Sequence, residues 1–146
     1  MKAPSQSPII AVACRLIAPL IQIVALYVLF HGHYSPGGGF QGGVLLAASF
    51  ILIRMALGLD AGQFQFPTRA GVVLGGIGVL FYAGVGAVSL LAGGNYLDYG
   101  SLPLPGFEPG PARSLGILLV EVGVMLAVSA VITVIYDDLI GSAGDA

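Results

Sequence analysis

Charge is what this sequence has least of. Its 146 residues include five Lys and Arg and seven Asp and Glu, 8% in all. Soluble domains carry roughly a quarter charged residues. A chain this poor in charge cannot keep a folded surface wet. The net charge is −2 and there is no basic run, so the electrostatic footprint of a nucleic-acid binder is missing. Cysteine is nearly absent too. Cys14 stands alone, which excludes an internal disulfide and leaves a small buried hydrophobe as its reading.

What is present is apolar. Hydrophobic residues make up 57% of the chain and the mean hydropathy is +0.98. Four continuous apolar runs occur, at about residues 9–30, 40–59, 70–92 and 115–136. A bilayer core needs roughly 20 apolar residues of helix. The runs do not alternate, which disfavours strands, and a spanning segment must satisfy its own backbone. The expected fold is all-α: one membrane domain over 1–146 with four transmembrane helices. The first run is too long for a signal h-region and no cleavage site follows it, so it reads as a retained helix.

Basic residues set the expected orientation. Lys2 flanks the first helix, Arg54 lies toward the end of the second and Arg69 closes the second connection, whereas residues 31–41 hold neither Lys nor Arg and residues 93–114 only Arg113. Both termini are therefore expected in the cytoplasm. The second connection, Asp60 to Arg69, reads as a short turn. The third, residues 93–114, holds four prolines and the string Asn95-Tyr96-Leu97-Asp98-Tyr99, which favours turns. The third helix carries Gly71/Gly75 and Ala83/Ala87 at small-xxx-small spacing. In lipid such residues let helix backbones approach closely, against a neighbour the sequence does not identify.

Few residues are able to carry chemistry. Glu121 sits inside the fourth run, where an ionisable group is costly and marks function by default. Desolvation favours its neutral form, so it can exchange a proton; a structural carboxyl bonded to a neighbouring helix is the alternative. Arg15 and Arg54 are expected to join Asp60, Asp137 and Asp138 in a charge network at the cytoplasmic ends. His31 and His33 begin a metal-like pattern, but no third ligand has suitable spacing. They are read instead as interfacial residues or a proton relay. No metal or other cofactor is called for.

The stretch His31-Gly32-His33-Tyr34-Ser35-Pro36-Gly37-Gly38-Gly39-Phe40-Gln41-Gly42-Gly43 is a glycine knot between two apolar runs. A phosphate loop needs Lys-Ser/Thr after its last glycine, and here Val44 and Leu45 follow. An irregular turn remains, with Gly39 to Gly43 entering the second helix in close backbone contact. It is expected to face outward and seat a partner, apart from the proton chemistry assigned to Glu121.

This motif resembles the signature of the MnhB family, the B subunit of the Mrp-type multisubunit Na+/H+ antiporter. The later segments GGNYLDYGSLPLPG and RSLGILLVEVGVMLAVSAVITVIYDDL agree in order. The resemblance covers about Ile9 to Leu139. It implies a four-helix subunit of a hetero-oligomer in the bacterial plasma membrane, with other antiporter subunits as partners and Na+ and H+ as the transported ions. Pro36, Gly37, Gly38, Gly39, Phe40 and Gln41 match the motif, and His31, His33, Asp98 and Glu121 match family-like surroundings as ion-pathway candidates. No lysine lies inside a run, which fits an accessory or pathway-lining subunit rather than a complete antiporter. Related modules occur in respiratory hydrogenase-type complexes, which leaves that complex, or a pure scaffold, as the alternative.

Overall fold

The fold is that of a computed structural model, which describes residues 7–32, 37–104, 106–107 and 109–144. The described elements are helices: α1 Pro8–His31, α2 Gly38–Leu57, α3 Leu59–Gln65, α4 Thr68–Leu91 and α5 Pro109–Gly144, with a 3-10 turn at Tyr99–Ser101. Four of them, all but α3, are long and apolar enough to cross a membrane.

The ends of these helices follow local chemistry. Pro8 starts α1, where its missing N–H is no loss. Gly37, at φ 102°, caps α2 in the left-handed region that glycine reaches without strain. Gly58, at φ 96°, ends α2 while its N–H still bonds Arg54 O. That break corrects the expected boundary at residue 59. Leu59 belongs instead to α3, a seven-residue helix inside the segment expected to be a short turn. At the other extreme, α5 runs for 36 residues, about 54 Å, well past the expected 115–136. Hydropathy marks only the apolar part of a helix, whereas backbone hydrogen bonding continues into its polar ends. Pro109 and Pro111 sit in the first turn of α5, where proline is tolerated.

The four long helices form a staggered row rather than a closed bundle. Neighbours in the row are α1 with α2, α2 with α5, and α5 with α4, and α1 touches α5 only slightly. The inner pair is α2 and α5. The outer faces of α1 and α4 stay bare: Leu16, Leu20 and Ile23 on one side, Val72, Val73 and Leu80 on the other, are all exposed. In water such faces would be a liability; in a bilayer they meet lipid or another helix.

The interior is built of small side chains. Ala18, Ala25, Ala47 and Ala130 are buried, and the largest fully buried side chains are Thr133, Ser49 and Ser89. Small residues let backbones touch, which is how helices gain dispersion contacts in lipid. The crossing of α4 with α5 is one such close approach. A β-carbon on Gly78 would stand 2.6 Å from both Gly123 O and Ala127 N. The neighbour that α4 packs against is thus internal. Gly71, Gly75 and Gly78 face α5, while Ala87 is exposed.

Candidate ion-path site

Glu121 is carried on the inner face of α5, opposite the junction of α1 and α2. Three glycines wall it in. A β-carbon on Gly32 would stand 2.6 Å from Glu121 Oε1 and 2.6 Å from Gly38 Cα, and one on Gly38 would stand 2.7 Å from Oε1. At Gly39 it would lie 2.8 Å from Glu121 Cα and press on the Glu121 carbonyl. Only glycine lets the chain pass this close. The Glu121 Oε2 atom is out of contact with solvent.

This geometry corrects one expectation, that the glycine knot stands apart from Glu121. Its first helical glycines instead form the wall around the Glu121 carboxyl. The close backbone contact expected along Gly39 to Gly43 continues below: Gly42 packs on Ala25 O, and Gly43 on Met125 O and Val128.

The third connection covers the same end. Tyr99 packs on Gly116, Tyr96 packs on Gly86, and Ser101 Oγ donates to Ser89 O and Asp98 O. The Tyr99 hydroxyl is held above the usual tyrosine range, first by burial and then by Tyr82, Glu121 and Tyr96. A Glu121 carboxylate nearby disfavours a second negative charge on the phenol. Tyr99 thus belongs to the surroundings of Glu121. The sequence marks the Asn95–Tyr99 string but gives Tyr99 no such place.

The other candidates stand apart. His31 is exposed; its ring stacks on Tyr27 with centroids 4.1 Å apart, and Nδ1 lies 3.0 Å from Tyr27 O. Asp98 accepts the Gly100 N–H at 3.1 Å and opens the 3-10 turn. Phe40 and Gln41 are exposed, while Gly38, Gly39, Gly42 and Gly43 are buried. His33 and Pro36 lie outside the described residues. Among the described residues, no group of three His, Cys, Asp or Glu is placed to hold a metal ion.

A second polar site lies at the far end of the same helix pair. Arg54 Nε donates to Asp137 Oδ1 at 2.6 Å and Nη2 to Oδ2 at 3.1 Å. Gln63 Nε2 and Thr68 Oγ1 also donate to Oδ2, at 3.1 and 2.7 Å. The Phe66 carbonyl accepts from Arg54 Nη2 at 2.6 Å. The network expected of five charges is narrower than that. Arg15, Asp60 and Asp138 are exposed, and the neutral Gln63 and Thr68 take their places. Charge alone gives no means of finding those two, since neither is ionisable and both reach Asp137 only through the fold.

Comparison with known proteins agrees with the sequence motif. The chain is 28% identical over 127 residues to the B subunit of the Na(+)/H(+) antiporter of Bacillus subtilis (strain 168), covering 82% of this chain and 88% of that protein. It is 31% identical over 138 residues to the B subunit of the Na(+)/H(+) antiporter of Alkalihalophilus pseudofirmus, covering 86% and 90%. A longer protein of Methanocaldococcus jannaschii is 34% identical over 106 residues, which cover 73% of this chain and 40% of that one. Residues 9–134 match the family described as "Domain related to MnhB subunit of Na+/H+ antiporter", and the chain belongs to the MnhB family.

Proposed function

We propose that this chain is a multi-pass plasma-membrane subunit of a multisubunit Na+/H+ antiporter, and that Glu121 lies on its ion path. It acts as one domain among other antiporter subunits, a transport component rather than an enzyme. Its termini lie in the cytoplasm, since Arg15, Arg54 and Arg69 gather at the end of the row that holds α3. The observation that carries the role of Glu121 is its position. A carboxyl on the inner face of a spanning helix, walled by Gly32, Gly38 and Gly39, is expensive for a mere support. Such a group is suited to take up and release a proton.

The test is Glu121→Gln in the intact complex, with exchange followed in everted membrane vesicles. Na+-dependent proton exchange is expected to fall by about a hundredfold, the lower end of general acid–base effects. Copurification of the other subunits should be unchanged. Exchange at the wild-type rate would remove Glu121 from the path and leave a scaffold.

A further inference from the structure

One line of α1 carries polar groups although the helix is apolar. Arg15, Pro19, Gln22 and Leu26 follow one another at intervals of four, three and four, which sets them on one helix face. That face flanks the stripe of Cys14, Ala18, Ala25 and Leu29, which is buried against α2 and Met125. Arg15, Pro19 and Leu26 are exposed, and Gln22 is half-buried. Counted from Pro8, Arg15 lies about 10 Å along α1 and Gln22 about 21 Å, in a helix about 36 Å long.

Each polar group on this line lacks a partner within the chain. Cys14 Sγ donates to Leu52 O at 3.6 Å, so Arg15 stands within about one helical turn of the height of Arg54. There the chain answers Arg54 with the buried Asp137. Arg15 has no ion pair or hydrogen bond among the described residues. An arginine inside a span stays charged and is normally paired. Pro19 lies inside α1 and has no N–H to give the Arg15 carbonyl, which leaves an acceptor to whatever lies outside the helix. Two turns deeper than Arg15, Gln22 Nε2 is turned inward and meets no acceptor among the described residues. No hydrogen bond of that Nε2 is broken when the carboxamide swings toward a neighbour.

We propose that this line of α1 is the docking surface for a transmembrane helix of a neighbouring antiporter subunit, one that bears an Asp or Glu at the height of Arg15. Membership of a multisubunit antiporter is presupposed here; the role of Glu121 is not. Charge complementarity names the occupant, since a guanidinium takes a carboxylate in two parallel hydrogen bonds. A lipid phosphate is the other anion within reach of a snorkelling arginine, but it answers Arg15 alone. Acyl chains offer nothing to the Arg15 carbonyl or to a carboxamide near mid-membrane, and polar groups left unpaired in hydrocarbon are costly. A helix with a carboxylate at the height of Arg15, and hydroxyl or amide side chains deeper along the same face, answers all three. Polar side chains bond across helices in lipid in this way.

The experiment replaces Leu26, 46% exposed on the same line, with the photoreactive p-benzoylphenylalanine in the intact complex. Native membranes are irradiated and the cross-linked products identified. The expected result is a covalent product with an antiporter subunit that carries Asp or Glu at the height of Arg15. Its yield should fall at least about thirtyfold in Arg15→Leu, the lower end for stranding one member of a desolvated charge pair. Arg15→Lys keeps the charge and should keep the product. Cross-links to lipid alone overturn the proposal, and so does a subunit product at wild-type yield in Arg15→Leu. If other subunits copurify with the chain while position 26 meets only lipid, this surface fails and membership of the complex stands. If none copurifies, both fail. Should Arg15→Leu not reach the membrane, Arg15→Gln takes its place, polar but uncharged, with the same expected loss. Retention of the product in Arg15→Gln then overturns the pairing.

Discussion

Arg54 and Asp137, 83 residues apart in sequence, meet in a buried two-bond ion pair with Nε and Oδ1 at 2.6 Å. Around them the polar groups are matched. The carboxylate also accepts from Gln63 and Thr68, and the guanidinium also donates to the carbonyls of Phe50 and Phe66. One pair therefore fastens the ends of α2 and α5 to α3 and to the start of α4. The ring stack of Phe50 on Phe66, 4.7 Å between centroids, covers it.

Removing one partner of a buried pair strands the other charge. Arg54→Leu or Asp137→Leu alone should therefore destabilise the fold by about 3–5 kcal/mol. The double variant Arg54→Leu/Asp137→Leu should recover most of that loss, because no charge is left unpaired. Thermal unfolding in detergent checks both, and equal losses in the single and double variants would contradict the account.

Glycine at position 39 is required by contact and not by backbone conformation. Gly39→Ala presses a methyl group onto the Glu121 backbone and should cost about 1–3 kcal/mol, as overpacking does. Gly76→Ala meets nothing within 4 Å and should be neutral. Melting temperatures of the two variants separate a packing role from a loss of glycine as such.

Tyr99 gives a pH dependence outside the membrane spans. Its phenol is held above the usual range by burial, then by Tyr82, Glu121 and Tyr96. The folded chain therefore keeps this proton when the unfolded chain releases it. The stabilisation is complete below the ordinary tyrosine pKa of about 10 and is lost as pH rises through the folded value. Tyr99→Phe should remove a late step from the ultraviolet tyrosinate titration and flatten the alkaline loss of stability. Glu121→Gln should move that step to lower pH. A titration curve unaltered by Tyr99→Phe would show that the late step belongs elsewhere.

Phe40 is 59% exposed in the first turn of α2. Phe40→Ala should leave the stability of the isolated chain within about 0.5 kcal/mol but lower the yield of copurified partners. Melting and pull-down are read on the same preparation. A large drop in melting temperature would place Phe40 in the fold of this chain rather than in an interface.

Much of the architecture is legible in the linear order of residues. Low charge and four apolar runs set the number of spans, because a bilayer selects on length and hydropathy alone. Glu121 and the glycine knot each stand out, since a carboxyl in an apolar run and four paired glycines at a helix start both need a cause. Their relation to each other does not stand out. Gly32 and Gly38 flank one connection and Glu121 lies in another helix, and nothing local encodes that meeting. The same holds for α3, too short for hydropathy to reveal, and for Gln63 and Thr68, uncharged partners of Asp137.

By itself, then, the sequence determined where the chain crosses a membrane and which groups are costly there. Composition and period carry that information along one dimension. Only the tertiary structure decided that α2 and α5 form the inner pair, that the knot walls Glu121, and that Arg54 chooses Asp137 over Asp60 and Asp138. Those choices depend on which backbones approach most closely, and that is settled by the combined fit of glycines, small side chains and hydrogen bonds across helices distant in sequence.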